Sequence, residues 1–370
     1  MPGPNLLVNS SPEKSINMDG SLIPLQFPVA APPPPGETLT IAPGVWWLRM
    51  PLPFALDHIN LWVLEDGAGW TIVDTGIARP ETQALWERMF AERLGERPVT
   101  RVVVTHYHPD HIGLADWLTR RWQAPLWVTE KEWLFARVMS RGADDFAAMR
   151  RCFAHRIGLD EAAREIFGRR EDGYRRGVPA VPPSFQRLAD DMPIEIGGRL
   201  WRIIVGEGHA PELACLYCAE TGVLISGDQV LPRISPNISV QAHEPDADPL
   251  RLYLRSLAKL RDAVPPETLV LPSHNLPFYG LHARIEELAA HHDARCAQIA
   301  TACDRPQTAS QLVPLLFPRL LDRHQMGFAL GEAVAHLNYL MHRGALGRAL
   351  GSDGVYRYIR TDLQSSLSAL

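Results

Sequence analysis

His106, His108, Asp110 and His111 place four metal-donor side chains within six consecutive positions. Val102-Val103-Val104 precedes them, a β-branched run typical of a buried strand. Ile112 to Leu118 follows and reads as the first turns of a helix. The donors therefore fall where a strand ends and a helix begins, the position where rigid scaffolds place chemistry. In an extended segment residues i and i+2 point the same way, so His106 and His108 can reach one ion. Pro109 then bends the chain and aims Asp110 and His111 at a second spot, which suits a second ion. Imidazole suits zinc, iron or nickel, and an added carboxylate widens the choice to harder ions. Clustered histidines also serve as helix caps or surface groups, but so dense a donor set favours metal.

Thr105-His106-Tyr107-His108-Pro109-Asp110-His111 resembles the His-x-His-x-Asp-His signature of the metallo-β-lactamase superfamily. The likeness is strongest to its branch of hydroxyacylglutathione hydrolases (glyoxalase II) and covers roughly residues 40–280. It implies an α/β (α+β) fold, the αβ/βα sandwich, with the site along one edge of two sheets. Carried over by position, His106, His108 and His209 match the first metal's ligands. Asp110, His111 and His274 match the second's, and Asp228 matches the carboxylate that bridges both. The implied cofactors are two divalent ions, Zn2+ first, with iron or manganese as alternatives. The implied chemistry is hydrolysis, in which a hydroxide shared by metals about 3.5–4 Å apart attacks a small ester, thioester or lactone. Asp110, if free to accept a proton, is the acid/base. Asp74, in the Asp-Thr-Gly turn, either orients the ligand loop or makes an ordinary Asx-turn.

Two motifs depart from the family pattern. Ala210 follows His209 where relatives carry Thr or Ser, and Ser273 precedes His274 where they carry Gly. Neither change touches an imidazole. No match to the glutathione-binding residues is found, so that substrate is not expected. Arg233, in the loop after Asp228, is a candidate to grip a substrate carboxylate or phosphate, and a surface salt bridge is the competing reading. His243 and Tyr279 lie near ligands in sequence and are candidate donors to an oxyanion.

The elements that must position these groups follow from pattern. Residues 1–38 are polar and Pro-rich and lack the basic-then-apolar layout of a secretory signal. They read as a flexible arm that packs on a partner subunit, with a homodimer in view. Residues 39–279 form the metal-binding domain. Within it, 130–169 reads as inserted helices whose Trp133, Phe135, Met139, Phe146, Met149 and Phe153 make their own small core. Met192 to Val205 reads as a hairpin about Gly197-Gly198.

Residues 280–370 read as three helices (280–303, 308–316 and 327–343) and a hairpin about Gly351-Ser352-Asp353-Gly354. That outline resembles the winged-helix tail of one branch of the superfamily, which includes an endoribonuclease. From residue 281 onward there are nine Arg, no Lys and eight acidic residues, a net of +1. A nucleic-acid reader shows a basic face, so packing or dimerisation is favoured over nucleic-acid binding. A phosphodiesterase or endoribonuclease, and a non-catalytic nucleic-acid-binding regulator, stand as alternatives to the small-molecule hydrolase.

The chain has 370 residues, 46% of them apolar, enough for a large core. A net charge of −5 gives no attraction to nucleic acid or anionic membrane, and no apolar run is long enough to span a bilayer. Five cysteines in such a length do not make a disulfide framework, so a reducing cytoplasm is expected. Cys215 and Cys218 have the C-x-x-C spacing, but in a strand i and i+3 face opposite sides, which disfavours a joint redox or metal role.

Overall fold

The computed structural model describes residues 25–95, 97–141, 144–168 and 172–362. Two sheets face each other. The larger runs β1 (Thr38–Ala42), β2 (Val45–Pro51), β3 (His58–Asp66), β4 (Gly69–Val73), β5 (Val99–Val103), β6 (Leu126–Thr129), β7 (Gln186–Leu188). It is antiparallel as far as β4 and parallel from there on. The smaller contains β8 (Pro193–Ile196), β9 (Arg199–Gly206), β10 (Leu213–Cys218), β11 (Val223–Gly227) and β12 (Leu269–Pro272), in the order β12-β11-β10-β9-β8. Gly197 and Gly198 both have positive φ (62° and 74°), which closes the β8–β9 hairpin as their pairing predicts.

Period-two alternation sorts the core into layers. On β3, Leu61 and Val63 face Trp86, Met89 and Phe90 of α1 (Pro80–Glu92). Their neighbours Trp62 and Leu64 face Trp201, Ile203 and Leu216 of the other sheet. The outer side of the smaller sheet carries Leu224 and Val270, packed with Tyr253 and Leu257. The result is the helix–sheet–sheet–helix sandwich that the resemblance implied. Cys215 belongs to the outer cluster and Cys218 to the inter-sheet cluster, and both are free, so C-x-x-C is a packing pattern here.

The helix α2 (Pro109–Ile112) is a single turn and α3 (Ala115–Trp122) follows it. Three helices fill the insertion, α4 (Glu130–Arg141), α5 (Asp144–Arg156) and α6 (Glu161–Gly168), and α7 (Asp172–Gly177) follows it. The shared insertion core expected from sequence is not formed. Trp133 stacks on Phe185 at 4.8 Å beside the α1-side core, whereas Phe153 lies in the outer core of the smaller sheet. Helix α5 packs on α6, and α4 packs on α7.

After α8 (Pro249–Ala263) and β12 come α9 (Leu281–Ala302), α10 (Ala309–Leu316) and α11 (Arg323–His342), then an antiparallel pair, β13 (Leu346–Leu350) and β14 (Tyr356–Arg360). Helix α11 starts four residues before the expected 327, because Asp322 and Gln325 close a capping box. Residues 329–340 of α11 are buried throughout. Ile299, Leu312, Val334 and Tyr358 of this tail share one cluster with Leu213, Leu224 and Tyr253. Residues 1–24 of the expected arm lie outside the described residues. From Leu25 the arm lies on its own chain: Gln26 and Tyr279 exchange backbone hydrogen bonds of 3.1 and 2.8 Å, and Arg233 stacks over Phe27. No helix among the described residues is long and apolar enough to cross a membrane.

Candidate metal centre

Every candidate ligand follows the C-terminal end of a strand. Strands β4 and β5 are parallel neighbours, as are β11 and β12. Strand β9 runs with β11 because both are antiparallel to β10. Asp74, His106, His209, Asp228 and His274 therefore emerge in common directions, at ends where the sheets are joined. Asn60 N–H donates to Ser273 O at 2.7 Å, and Ala214 N–H to Thr105 O at 2.9 Å.

The seven donors converge as two groups, His106–His108–His209–Asp228 and Asp110–His111–His274, each with ligand atoms within 4.8 Å of one another. His209 Nε2 lies 3.3 Å from His106 Nε2 and 3.4 Å from Asp228 Oδ2. His106 Nε2 lies 2.8 Å from His108 Nδ1. In the second group His274 Nε2 lies 3.5 Å from Asp110 Oδ2, and His111 Nε2 lies 3.7 Å from it. Asp228 reaches both groups, with Oδ1 3.4 Å from His274 Nε2 and Oδ2 3.7 Å from His111 Nε2. Four tetrahedral ligands about 2.0–2.1 Å from one ion stand about 3.3 Å apart, so these spacings fit ions. Buried His111 Nε2 and Asp228 Oδ1 have no hydrogen-bond partner. Orphaned buried polar atoms are costly, and an ion between the groups would satisfy them.

The opposite side of each ring is held by the protein. His111 Nδ1 meets Asp74 Oδ2 at 2.8 Å, His209 Nδ1 meets Asn237 O at 2.9 Å, and His274 Nδ1 meets His58 O at 2.7 Å. These acceptors call for the Nδ1–H tautomer and leave Nε2 as a lone pair toward the centre. Asp74 also accepts from Thr105 N–H at 2.8 Å and from Thr105 Oγ1–H at 2.9 Å. It is buried, in the left-handed region at φ 63°, and its hydrogen bonds reach both ends of the loop from Thr105 to His111.

Electrostatics divide the donors. Burial drives His106 well below its ordinary value, and burial together with His209 drives His108 down to about 3. Neutral imidazoles with free lone pairs are what an ion needs. In the other group burial pulls His274 down, but the carboxylates of Asp228 and Asp110 outweigh it and raise it to about 10. Burial pushes Asp110 up, and the imidazoles of His111 and His274 overcome it, holding the carboxyl at about 2.

The ligands open on a cavity of about 1260 Å³, lined among others by His108, Asp110, His209, Asp228 and His274. Arg233 lines it too, though its guanidinium is exposed and stacked on Phe27. His243 and Tyr279 are not among its lining residues, which corrects the expectation from their place in the sequence. His243 packs its ring on Phe135 at 5.3 Å, and Tyr279 is committed to Gln26 and the inter-sheet core.

Two positioning groups had no signal in the sequence. Glu132 of α4 is fully buried, and its carboxylate accepts from Tyr107 N–H at 2.8 Å and from Glu212 N–H at 2.6 Å. It ties the loop of His106 and His108 to the loop of His209. Asn237, whose carbonyl backs His209, reaches Glu332 of α11 at 3.5 Å, and Glu332 is ion-paired with Arg295 of α9. The tail thus braces the candidate ligand His209 from behind.

Family profiles match in two places. Residues 55–274 match "Metallo-beta-lactamase superfamily", and residues 296–361 match "Metallo-beta-lactamase-like, C-terminal domain". A beta-lactamase domain protein from Burkholderia ambifaria has a similar structure, with TM-score 0.85 and 49% identity over 91% of this chain and 98% of that one. A metallo-beta-lactamase family protein from Thermus thermophilus gives TM-score 0.75 and 32% identity over 87% of this chain and 100% of that one. The "Probable metallo-hydrolase YqjP" of Bacillus subtilis is 25% identical over 84% of this chain and 96% of its own length. A sandwich with its donors gathered at one strand edge and relatives of this extent lead to one conclusion: the chain belongs to the metallo-β-lactamase superfamily and is a metal-dependent hydrolase.

Proposed function

We propose that the protein uses two divalent ions, zinc first with iron or manganese as alternatives, to hydrolyse a small-molecule ester, thioester or lactone. The observation that carries this reading is Asp228, whose two oxygens reach both donor groups at 3.4–3.7 Å. His106, His108 and His209 would hold one ion, Asp110, His111 and His274 the other, with Asp228 shared. Such a pair polarises the acceptor oxygen and brings a water's pKa toward about 7. The chain's own groups do the rest. Asp74, Asn237 O and His58 O fix the imidazoles, so little reorganisation accompanies the reaction. Asp110, which lines the cavity, would take a proton from the attacking water and pass it to the departing oxygen or sulfur. The water oxygen forms the new bond to the carbonyl carbon as the bond to that leaving group breaks.

The tail suits packing better than nucleic-acid reading, despite its winged-helix outline. A reading helix needs an open face, and residues 329–340 of α11 are buried. Five free cysteines suit a reducing cytoplasm. The test is elemental analysis of protein kept from chelators, followed by assay on thioester, ester, lactone, phosphodiester and RNA panels. About two metals per chain, with thioester, ester or lactone turnover lost on chelation, is the expected result. RNA cleavage abolished by Asp110→Ala, without thioester, ester or lactone turnover, would overturn it.

A further inference from the structure

The cavity at the metal ligands is larger than the roughly 300–1,000 Å³ of a typical ligand pocket, at about 1260 Å³. Away from the candidate ligands its walls mix polar and apolar side chains, and the apolar ones come from two parts of the chain. Leu52, Phe54 and Leu231 come from the sandwich, and Phe317, Leu321 and Phe328 from the tail around the α10–α11 link. Ten large apolar side chains stay exposed among the described residues. Phe54, Ile234 and Phe328 of these line this one cavity, and Leu315, Leu320 and Met326 sit in the same stretch of tail. Exposed apolar residues scattered singly need no explanation, but a contiguous set marks a binding surface.

Of the four lining arginines three are already engaged, and the fourth, Arg319, is exposed. Arg295 pairs with Glu332, and Arg284 binds Glu287 at 2.8 Å and Leu231 O at 2.7 Å. Arg233 stacks over Phe27. A row of anionic groups, as on a polyphosphate or an RNA strand, would meet no matching row of free guanidinium groups.

We propose that this cavity binds an unbranched aliphatic chain of the substrate, with the scissile carbonyl at the ligand end and the chain lying between Leu231 and the 317–328 segment. The tail is then a specificity wall. This rests on the hydrolase reading above and names its substrate class. The chain can belong to the acyl or to the alcohol side, and the experiment separates them.

With the full-length, metal-loaded protein, binding of n-carboxylates and of n-alcohols from two to twelve carbons is measured by calorimetry. Ester turnover is measured in parallel on acyl-varied and alkyl-varied series. The expected result is affinity rising about three- to fourfold per methylene in one series until the cavity is filled, with KM falling in step. Leu321→Asp and Ile234→Asp should flatten that slope, with circular dichroism and metal content as checks on folding. Leu320→Asp, fully exposed and outside the lining, should keep it. Flat series on both sides, with short esters still turned over, would overturn the chain proposal and leave the hydrolase reading standing. Chain-length-dependent binding without turnover of any ester, thioester or lactone would support the cavity assignment and overturn the hydrolase reading.

Discussion

At the scale of single residues the donors were legible because a metal needs specific atoms. Histidine and aspartate packed into residues 106–111 have few other uses, and each later ligand follows a strand. Glu132 was not legible, because it acts on backbone N–H groups of Tyr107 and Glu212, and a backbone group leaves no mark in sequence. Glu132→Leu would strand both buried donors at about 1–3 kcal/mol each. A loss of about 2–6 kcal/mol in urea unfolding is expected, and Glu132→Gln, which keeps one acceptor, should lose less. Asp74 holds His111 and Thr105 at once, and Asp74→Ala should weaken metal binding by about 10–100-fold in a chelator competition. An unchanged affinity would reduce Asp74 to a turn residue.

At the scale of elements, strand direction does what no single residue can. Parallel pairing of β4 with β5 and of β11 with β12 brings loops far apart in sequence to one edge. The hairpin at Gly197-Gly198 was readable from its turn residues. The start of α11 was readable too, in the Asp322–Gln325 capping box, but the apolar pattern drew the boundary inward. Which helix faces pack on the sandwich was not readable, since an apolar stripe does not name its partner. Gly331 lets α11 approach the loop that carries Asn237. A Cβ there would stand 2.6 Å from Ser239 Oγ, and Val240 N–H already donates to Gly331 O at 3.1 Å. Gly331→Val should push this loop off His209. Misplacement near 1 Å costs on the order of 10²-fold in rate, so kcat/KM should fall by that order while helical content by circular dichroism is retained.

At the scale of the whole molecule, the tail and the smaller sheet share one core, so the boundary expected near residue 280 crosses continuous packing. Inside it His292 and His336 meet at 3.1 Å, both buried. Burial pushes His336 down to about 4, and burial together with His336 pushes His292 down to about 2. Both values lie below the unfolded value of about 6.5. The stability tied to neutral imidazoles is therefore fully present above about pH 6.5 and is lost as pH falls, for His336 until about pH 4. Each imidazole contributes a slope of about 1.4 kcal/mol per pH unit. Denaturation between about pH 7 and 5 should show a shallower slope in His336→Gln than in the native chain.

Each proposed ion takes ligands from both sheets. His106 and His108 follow β5 and meet His209 and Asp228 after β9 and β11, and Asp110 and His111 meet His274 after β12. An occupied centre is then a clasp across the open end of the sandwich, and catalysis and mechanical closure depend on the same bonds. Metal supply becomes a stability variable: at about a hundred times the dissociation constant each ion adds about 2.7 kcal/mol. The melting temperature should climb with zinc concentration and drop on chelation, and hydrogen exchange should quicken first at the ends of β5 and β12. A cell short of metal would hold a protein that is not merely idle but ajar, with its seam open to proteolysis.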